Sequence, residues 1–199
     1  MTLPRSSLQP ASRPPAPLRP FASLAVGLVL LTQTLQVGAA TPAPASIPEV
    51  HVLSFSGDRV DLPSMLTGKV AILILGFSKG ARAQATLWGR RLPTDYFYSP
   101  DVLYFEMPML ASVPRLLRGA VLHTIKSEVS IRSQPHFAPL TSDEARWRTL
   151  AHYKEPDDAY VLLVDSSGAI RAQFHGEPTD SSYQELKRNV EQFRAIPSH

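Results

Sequence analysis

The sequence predicts an α/β fold in which helices flank a central mixed sheet and a terminal β-hairpin is followed by a closing helix. Seven consecutive aliphatic or Gly residues, Val70 to Gly76, are typical of a strand buried on both faces of a sheet. A short turn and a helical pattern follow this strand, and open α/β folds place their functional sites at such turns. Near the C-terminus, apolar runs on either side of Ser166-Ser167-Gly168 predict the hairpin.

The predicted elements follow the order β(β)–β–α–β–α–α–β–β–α. The strands are predicted at Glu49 to Phe55, Arg59 to Leu62, Val70 to Gly76, Asp101 to Met107, Ala159 to Asp165 and Ala169 to Phe174. The helices are predicted at Ala81 to Leu92, from Ser112 onward, at Thr141 to Leu150 and at about Asp180 to Arg194.

Apolar spacing and end signals define the helices. The first helix has an apolar face at i, i+4, i+7 and i+11, formed by Ala81, Ala85, Trp88 and Leu92. Pro93 is expected to close this helix, because proline lacks the N–H that the next turn needs. The apolar face of the second helix consists of Val113, Leu116, Leu117, Ala120, Val121, Thr124 and Ile125. Thr141 and Glu144 form a capping-box pattern before the third helix.

Residues 1–40 have the features of a targeting segment. A Pro-rich region with three Arg and no acidic residue precedes the apolar run Phe21 to Leu31, and small residues follow. This run is short for a membrane span, which needs ~20 residues. The pattern therefore favours a cleaved signal peptide and an exported protein, periplasmic or extracellular. An uncleaved N-terminal anchor or a mitochondrial presequence are the alternatives. Residues 41–48 are predicted as a Pro/Ala linker and residues 49–199 as the folded domain.

The charge distribution argues against a nucleic-acid partner. The formal charge is +3, and the three Arg residues of segment 1–40 account for it. After residue 40 the chain carries 17 Lys and Arg residues and 17 Asp and Glu residues. Without a net positive charge, nothing in this part predicts binding to a phosphate backbone. Membrane contact is expected only through residues 21–40, if they remain uncleaved.

The chain contains no Cys. Thiol–disulfide exchange needs an attacking thiolate, so this chemistry is excluded. The His residues show no metal-binding spacing, and we therefore predict neither a metal nor a cofactor. Ser78, His175 and Asp165 are residues of the types that form a catalytic triad, but no G-x-S-x-G motif supports this assignment. No catalytic residue is predicted.

Three segments resemble the thioredoxin/peroxiredoxin superfamily in order and spacing: Phe55 to Leu62, Leu66-Thr67-Gly68-Lys69-Val70, and Val161 to Arg171. The resemblance implies a thioredoxin-like fold over roughly residues 50–195. Two departures are evident. The turn after Phe77 reads SKGARAQA where thioredoxins carry Cys-x-x-Cys. Asp157-Asp158-Ala159 precedes Tyr160 where thioredoxins place a cis-proline, and Pro156 is displaced from that place by about three residues.

A more specific resemblance is to the thioredoxin-like chaperones of mitochondrial ATP-synthase assembly and to their bacterial relatives. The segment Tyr160 to Arg171, YVLLVDSSGAIR, carries most of it. Phe77, Ser78 and Trp88 in the first turn and helix, and Phe174 and Gly176 after the hairpin, are also similar. The resemblance implies a protein that binds and protects a hydrophobic membrane-protein subunit without catalysis.

The first turn and the segment facing it form the candidate binding surface. Its residues are Phe77, Ser78, Lys79, Arg82, Asp158 and Tyr160. Ser78-Lys79-Gly80 could hold an anion at the helix N-terminus, although an ordinary helix cap by Ser78 explains the same residues. The segment Ser130 to Leu140 is a second candidate, either as a peptide-contacting edge at Pro135, His136 and Phe137 or as a flexible loop.

These observations leave three hypotheses open. The first is a redox-inactive, exported, thioredoxin-like protein that binds another protein as an assembly factor or chaperone for a membrane complex. Its partner would then be a protein such as a membrane-protein subunit. The second is a divergent peroxiredoxin-like enzyme with non-thiol chemistry. The third is a structural domain without a dedicated partner.

Overall fold

A computed structural model of the chain describes residues 44–194. The strands are β1 Val50–Leu53, β2 Arg59–Leu62, β3 Val70–Gly76, β4 Val102–Pro108, β5 Ala159–Val164 and β6 Ile170–His175. The helices are α1 Arg82–Tyr96, α2 Arg115–Glu128, α3 Glu144–Leu150 and α4 Asp180–Arg194. The predicted α/β fold and element order are confirmed. The targeting segment predicted at residues 1–40 lies outside the described residues.

Four strands form the central mixed sheet in the order β4-β3-β5-β6. β3 pairs with β4 in parallel and with β5 in antiparallel orientation, and β5 and β6 form the predicted terminal hairpin. β1 and β2 form a separate two-stranded hairpin. The two central strands are buried along nearly their whole length, which explains their uninterrupted apolar sequence.

The sheet separates two apolar cores. On one face, the β1–β2 hairpin and Trp147 of α3 pack against β3 and β5. On the other face, α1 and α4 pack their apolar stripes, among them Trp88 and Leu186, against the same strands. Alternate residues of β3 and β5 therefore point into different cores, as the period of two in a strand requires.

The predicted end of α1 is wrong. The helix continues through Pro93 to Tyr96, whose side chain is buried. Proline removes one backbone hydrogen bond from the helix, which costs about 3 kcal/mol, and burial of an aromatic side chain contributes a comparable free energy. The tertiary contact of Tyr96 thus offsets part of the local cost of the proline.

The apolar face of α2 does not belong to either core. α2 begins at Arg115 rather than Ser112, and none of its residues is buried. Leu116 is 97% exposed and Leu117 is 56% exposed. The apolar periodicity predicted the helix correctly, but neither of the two apolar cores includes a residue of α2.

Two further expectations need correction. Residues 45–47, assigned to the linker, already belong to the folded domain, because Ile47 is buried and its N–H donates to the carbonyl of Gly168 at 2.9 Å. The capping box before α3 does not form, since Glu144 accepts a hydrogen bond from the backbone N–H of Ser112 instead. The segment 130–140, predicted as a peptide-contacting edge or a flexible loop, keeps Pro135, His136 and Phe137 partly exposed. Its end pairs with β4, and His136 stacks on Tyr104.

Candidate functional site

The turn between β3 and α1 is fastened to the segment before β5. Ser78 Oγ accepts a hydrogen bond from the Ala81 N–H at 3.1 Å and donates one to Asp157 Oδ1 at 2.7 Å. Gly80 makes this approach possible, because a Cβ at that position would collide with the Asp157 carboxylate. The carboxylate therefore lies at the positive N-terminal end of α1, where an anionic group is favoured.

A second set of hydrogen bonds satisfies the backbone N–H and carbonyl groups at the start of β5. The Ala159 N–H donates to Gln84 Oε1 at 3.0 Å, and the Ala159 carbonyl accepts from the Gly176 N–H at 2.9 Å. The amide of Gln84 also donates to Asp158, whose carboxylate is 2.8 Å from Nδ1 of His175. These internal bonds engage Asp158, one of the predicted binding residues, and the backbone of its neighbour Ala159.

Phe77 and Tyr160 form an aromatic floor beneath the turn. Their ring centroids lie 5.7 Å apart in an edge-to-face arrangement, and Tyr153 completes the cluster. The Tyr160 hydroxyl accepts hydrogen bonds from the backbone N–H groups of Lys154 and Glu155 and is only 2.9 and 2.8 Å from them. With exposures of 5% and 2%, Phe77 and Tyr160 position the loop and cannot contact a partner directly.

The outward side of α1 differs from the turn. Lys79 and Arg82 are exposed, and Arg82 forms an ion pair with Glu128 at the end of α2. Together with Arg90 they border a shallow groove of about 490 Å³. The floor of this groove is formed by Ala83, Thr86 and Leu87. We call this surface, from Lys79 to Arg90, the outer groove of α1.

Glu106 of β4 lies beside α1 on the edge of the sheet. Its carboxyl is pressed against Gly89, where an added Cβ would collide with it. Burial raises the pKa of Glu106 to about 8, although the charge of Arg82 acts in the opposite direction. A carboxyl in such a site is largely protonated at neutral pH.

The structure does not assemble the triad written from the sequence. Asp165 lies in the β5–β6 turn and is bonded to Ser167 and Arg171, whereas His175 is at the other end of the hairpin. Burial opposes ionisation of Asp165, but these hydrogen bonds hold the pKa of its carboxyl below the usual value. Within residues 44–194 no group of three His, Asp or Glu side chains has a geometry that could hold a metal ion.

The six predicted site residues therefore divide into two groups. Phe77, Asp158 and Tyr160 are engaged in internal contacts, while Lys79 and Arg82 face outward and Ser78 lies between the two groups. Sequence reasoning missed Gln84 and Asp157, which join α1 to the start of β5. A signal for Gln84 was present, because it is a polar residue between Ala81 and Trp88 on the inward side of the helix.

Comparison with solved structures supports the thioredoxin-like fold. A protein named as the thiol:disulfide interchange protein DsbE from Chlorobium tepidum has a TM-score of 0.55 and 16% identity, over 77% of this chain and 98% of that chain. The exposed lipoprotein thioredoxin Etrx1 from Streptococcus pneumoniae has a TM-score of 0.51 and 14% identity, over 71% and 99%. BsSco, a member of the Sco family of cytochrome c oxidase assembly proteins, has a TM-score of 0.51 and 16% identity, over 76% and 96%.

Other comparisons give no match: no protein-family description and no curated protein matches the sequence. The chain thus combines a thioredoxin-like fold with the absence of cysteine, and Ser78 and Ala81 lie in the turn directly before α1. Such a chain cannot use a thiol of its own in disulfide exchange. Among residues 44–194, no helix combines the length and the apolar character that a membrane crossing requires.

Proposed function

We propose that this chain is a redox-inactive thioredoxin-like protein that binds another protein. The observation that carries the proposal is the turn between β3 and α1, which retains its place in the fold but has Ser78 and Ala81 and no sulfur. Its serine hydroxyl is bonded to a carboxylate and to a backbone N–H, and no His contacts it within the described residues. Asp157 is the one potential base in contact with Ser78 among the described residues, and no third residue there orients its carboxylate as in a catalytic triad.

The contact surface of this proposal is the exposed part of the predicted site. Lys79 and Arg82 are accessible, and the outer groove continues from them along α1. Phe77, Asp158 and Tyr160 would contribute indirectly by holding the turn in place. Cationic side chains beside small and apolar residues are suited to a protein partner that supplies carboxylates.

The more specific parts of the proposal concern the location and the partner. The signal-like segment 1–40 supports export, and the resemblance of Tyr160 to Arg171 to assembly chaperones supports a membrane-protein subunit as the partner. One solved structure with this fold belongs to a family of assembly proteins, so the fold is compatible with such a role. N-terminal sequencing of the mature protein tests export, for which we expect a start near Ala40 or Thr41.

A photoreactive residue at Lys79 tests protein binding in the native membrane fraction. We expect one defined adduct that is absent when the same group replaces Glu185, an exposed residue of α4. Purification and reciprocal crosslinking from the captured protein would confirm a direct contact. The absence of a specific adduct from Lys79, Arg82 and Leu116 alike would overturn the proposal, as would saturable turnover that is lost on Ser78→Ala.

A further inference from the structure

The cationic side chains of α1 and the turn before it differ in whether they have partners. Arg91 forms an ion pair with Asp180 at 2.8 Å, and its guanidinium lies 4.3 Å from the ring centroid of Tyr183. Arg90, the preceding residue, has no hydrogen-bond or ion-pair partner among residues 44–194, and neither does the side chain of Lys79. Arg91 therefore joins α1 to α4, whereas Arg90 and Lys79 present free charges to the solvent.

The segment of residues 79–132, which contains α1, is positively charged although the chain after residue 40 is neutral. Residues 79–132 carry 8 of its 17 Lys and Arg residues but only 4 of its 17 Asp and Glu residues. One of those acids is Glu106, whose pKa of about 8 leaves it mostly uncharged at neutral pH. No acidic residue lines the groove within the described chain. The complementary occupant must therefore bring negative charge.

The dimensions of the groove restrict the conformation of that occupant. Arg82 and Arg90 are eight residues apart on α1, which corresponds to about 12 Å along the helix axis. Between them Leu87 is 40% exposed and offers an apolar contact. An extended peptide advances about 3.3 Å per residue and directs every second side chain to the same face. Residues i, i+2 and i+4 of such a peptide span about the same distance.

We propose that the outer groove of α1 binds an extended acidic segment of a partner protein, with the pattern acid-x-apolar-x-acid. The two carboxylates would pair with Lys79 or Arg82 at one end and with Arg90 at the other, and the apolar side chain would contact Leu87. This inference rests on the proposed protein-binding function and names the kind of segment that the site recognises.

Other occupants fit the groove less well. A second copy of the chain would bring the same positive surface into the contact, so like charges would face each other. A membrane surface is flat and favours a projecting apolar helix face, whereas the apolar floor here is recessed between cations. Both occupants remain measurable outcomes of the test.

Fluorescence anisotropy with the full-length chain tests the proposal. The probe is a labelled peptide, Gly-Glu-Ser-Leu-Ser-Glu-Gly, and the control peptides replace both Glu by Gln or the Leu by Ala. We expect binding only of the first peptide, weakened as salt screens the charges. Arg90→Ala should weaken it about 3- to 5-fold, the range of an exposed ion pair, and Lys79→Ala/Arg90→Ala about 10-fold. The matched variant Arg91→Ala should leave the affinity unchanged.

A charge exchange separates recognition from a folding defect. Arg90→Glu should abolish binding of the Glu peptide and permit binding of a peptide with Lys at its second acidic position, with an unchanged circular dichroism spectrum. Equal binding of the Gln peptide would overturn the proposal. An equal loss of peptide affinity in Arg90→Ala and Arg91→Ala would also overturn it. So would the absence of peptide binding combined with dimerisation, or with sedimentation on phosphatidylglycerol vesicles, that depends on Arg90.

The two proposals can fail separately. If a partner is captured from Lys79 but the acidic peptide does not bind, protein binding stands and the acidic-segment proposal is wrong. If the peptide binds and no specific adduct forms at any of the tested positions, the groove has the inferred chemistry but the proposed function is wrong.

Discussion

The inward and outward sides of α1 differ in whether their side chains have partners. Trp88 is buried and donates from Nε1 to the carbonyl of Gly176 at 2.9 Å, while the preceding Leu87 is 40% exposed. Arg91 pairs with α4, while the preceding Arg90 pairs with no described residue. Residues adjacent in sequence thus serve different purposes. The inward side contributes to the stability of the fold, and the outward side is available for binding.

The largest expected effect tests this difference at Leu87 and Trp88. Trp88→Ala should lower the free energy of unfolding by about 3–5 kcal/mol, because it leaves a cavity and removes the hydrogen bond to Gly176. Leu87→Ala should change it by less than about 0.5 kcal/mol, as is usual for surface positions. Urea unfolding of both variants measures the two values. A loss of more than about 1 kcal/mol for Leu87→Ala would show that the outward side is also structural.

The next effect concerns Glu106, on the side of α1 that meets β4. Its pKa rises from 4.5 in the unfolded chain to about 8 in the folded protein, so between these values the folded state binds more protons. Stability should therefore fall as the pH rises from 4.5 to about 8, by about 1.4 kcal/mol per unit of pKa difference. Glu106→Gln should remove most of this fall and make the variant more stable than the original chain at pH 9.

Urea midpoints at pH 5, 7 and 9 measure the effect of Glu106. The control is Asp165→Asn. Hydrogen bonds hold the pKa of the Asp165 carboxyl below its usual value, so its contribution to the free energy of unfolding is already complete above pH 5 and does not change between pH 5 and 9. If Glu106→Gln leaves the pH dependence unchanged, the carboxyl is solvated and its close contact with Gly89 has no energetic consequence.

The smallest effect is expected where the two sides of α1 meet, at its N-terminal turn. Ser78→Ala and Asp157→Ala should each destabilise the chain by about 0.5–1.5 kcal/mol, because each removes their shared hydrogen bond, and Ser78→Ala also removes the bond from the Ala81 N–H. The double variant should cost little more than Ser78→Ala alone, since the shared bond can be lost only once. A double-mutant cycle in urea measures this coupling, and additive losses would indicate that the two residues act independently.

The sequence predicted the fold correctly wherever a local pattern is compatible with only one structure. The apolar run of β3, the hairpin around Gly168 and the apolar stripe of α4 all form as predicted. Patterns that are compatible with two structures were less informative. Pro93 could end a helix or be tolerated, and the face of α2 could be buried or exposed. In both cases the outcome depends on contacts with residues distant in sequence.

The candidate site shows the same limit. The sequence identified the turn at Ser78 and its exposed neighbours Lys79 and Arg82, because turn and helix signals are local. It could not identify Asp157 as the partner of Ser78, since 79 positions separate them and neither residue has a signature for the other. Nor could it separate Arg90 from Arg91, which have the same chemistry and differ only in the side of the helix that they occupy.

The sequence by itself determined the α/β order, the thioredoxin-like resemblance and the absence of thiol chemistry, because composition and short-range periodicity are properties of the chain alone. Only the tertiary structure decided which polar groups are already paired and which cations of α1 remain free. Pairing depends on the packing of α4 and of the segment before β5 against this helix. A long-range contact satisfies one side chain and leaves its neighbour exposed, and local sequence does not encode that choice.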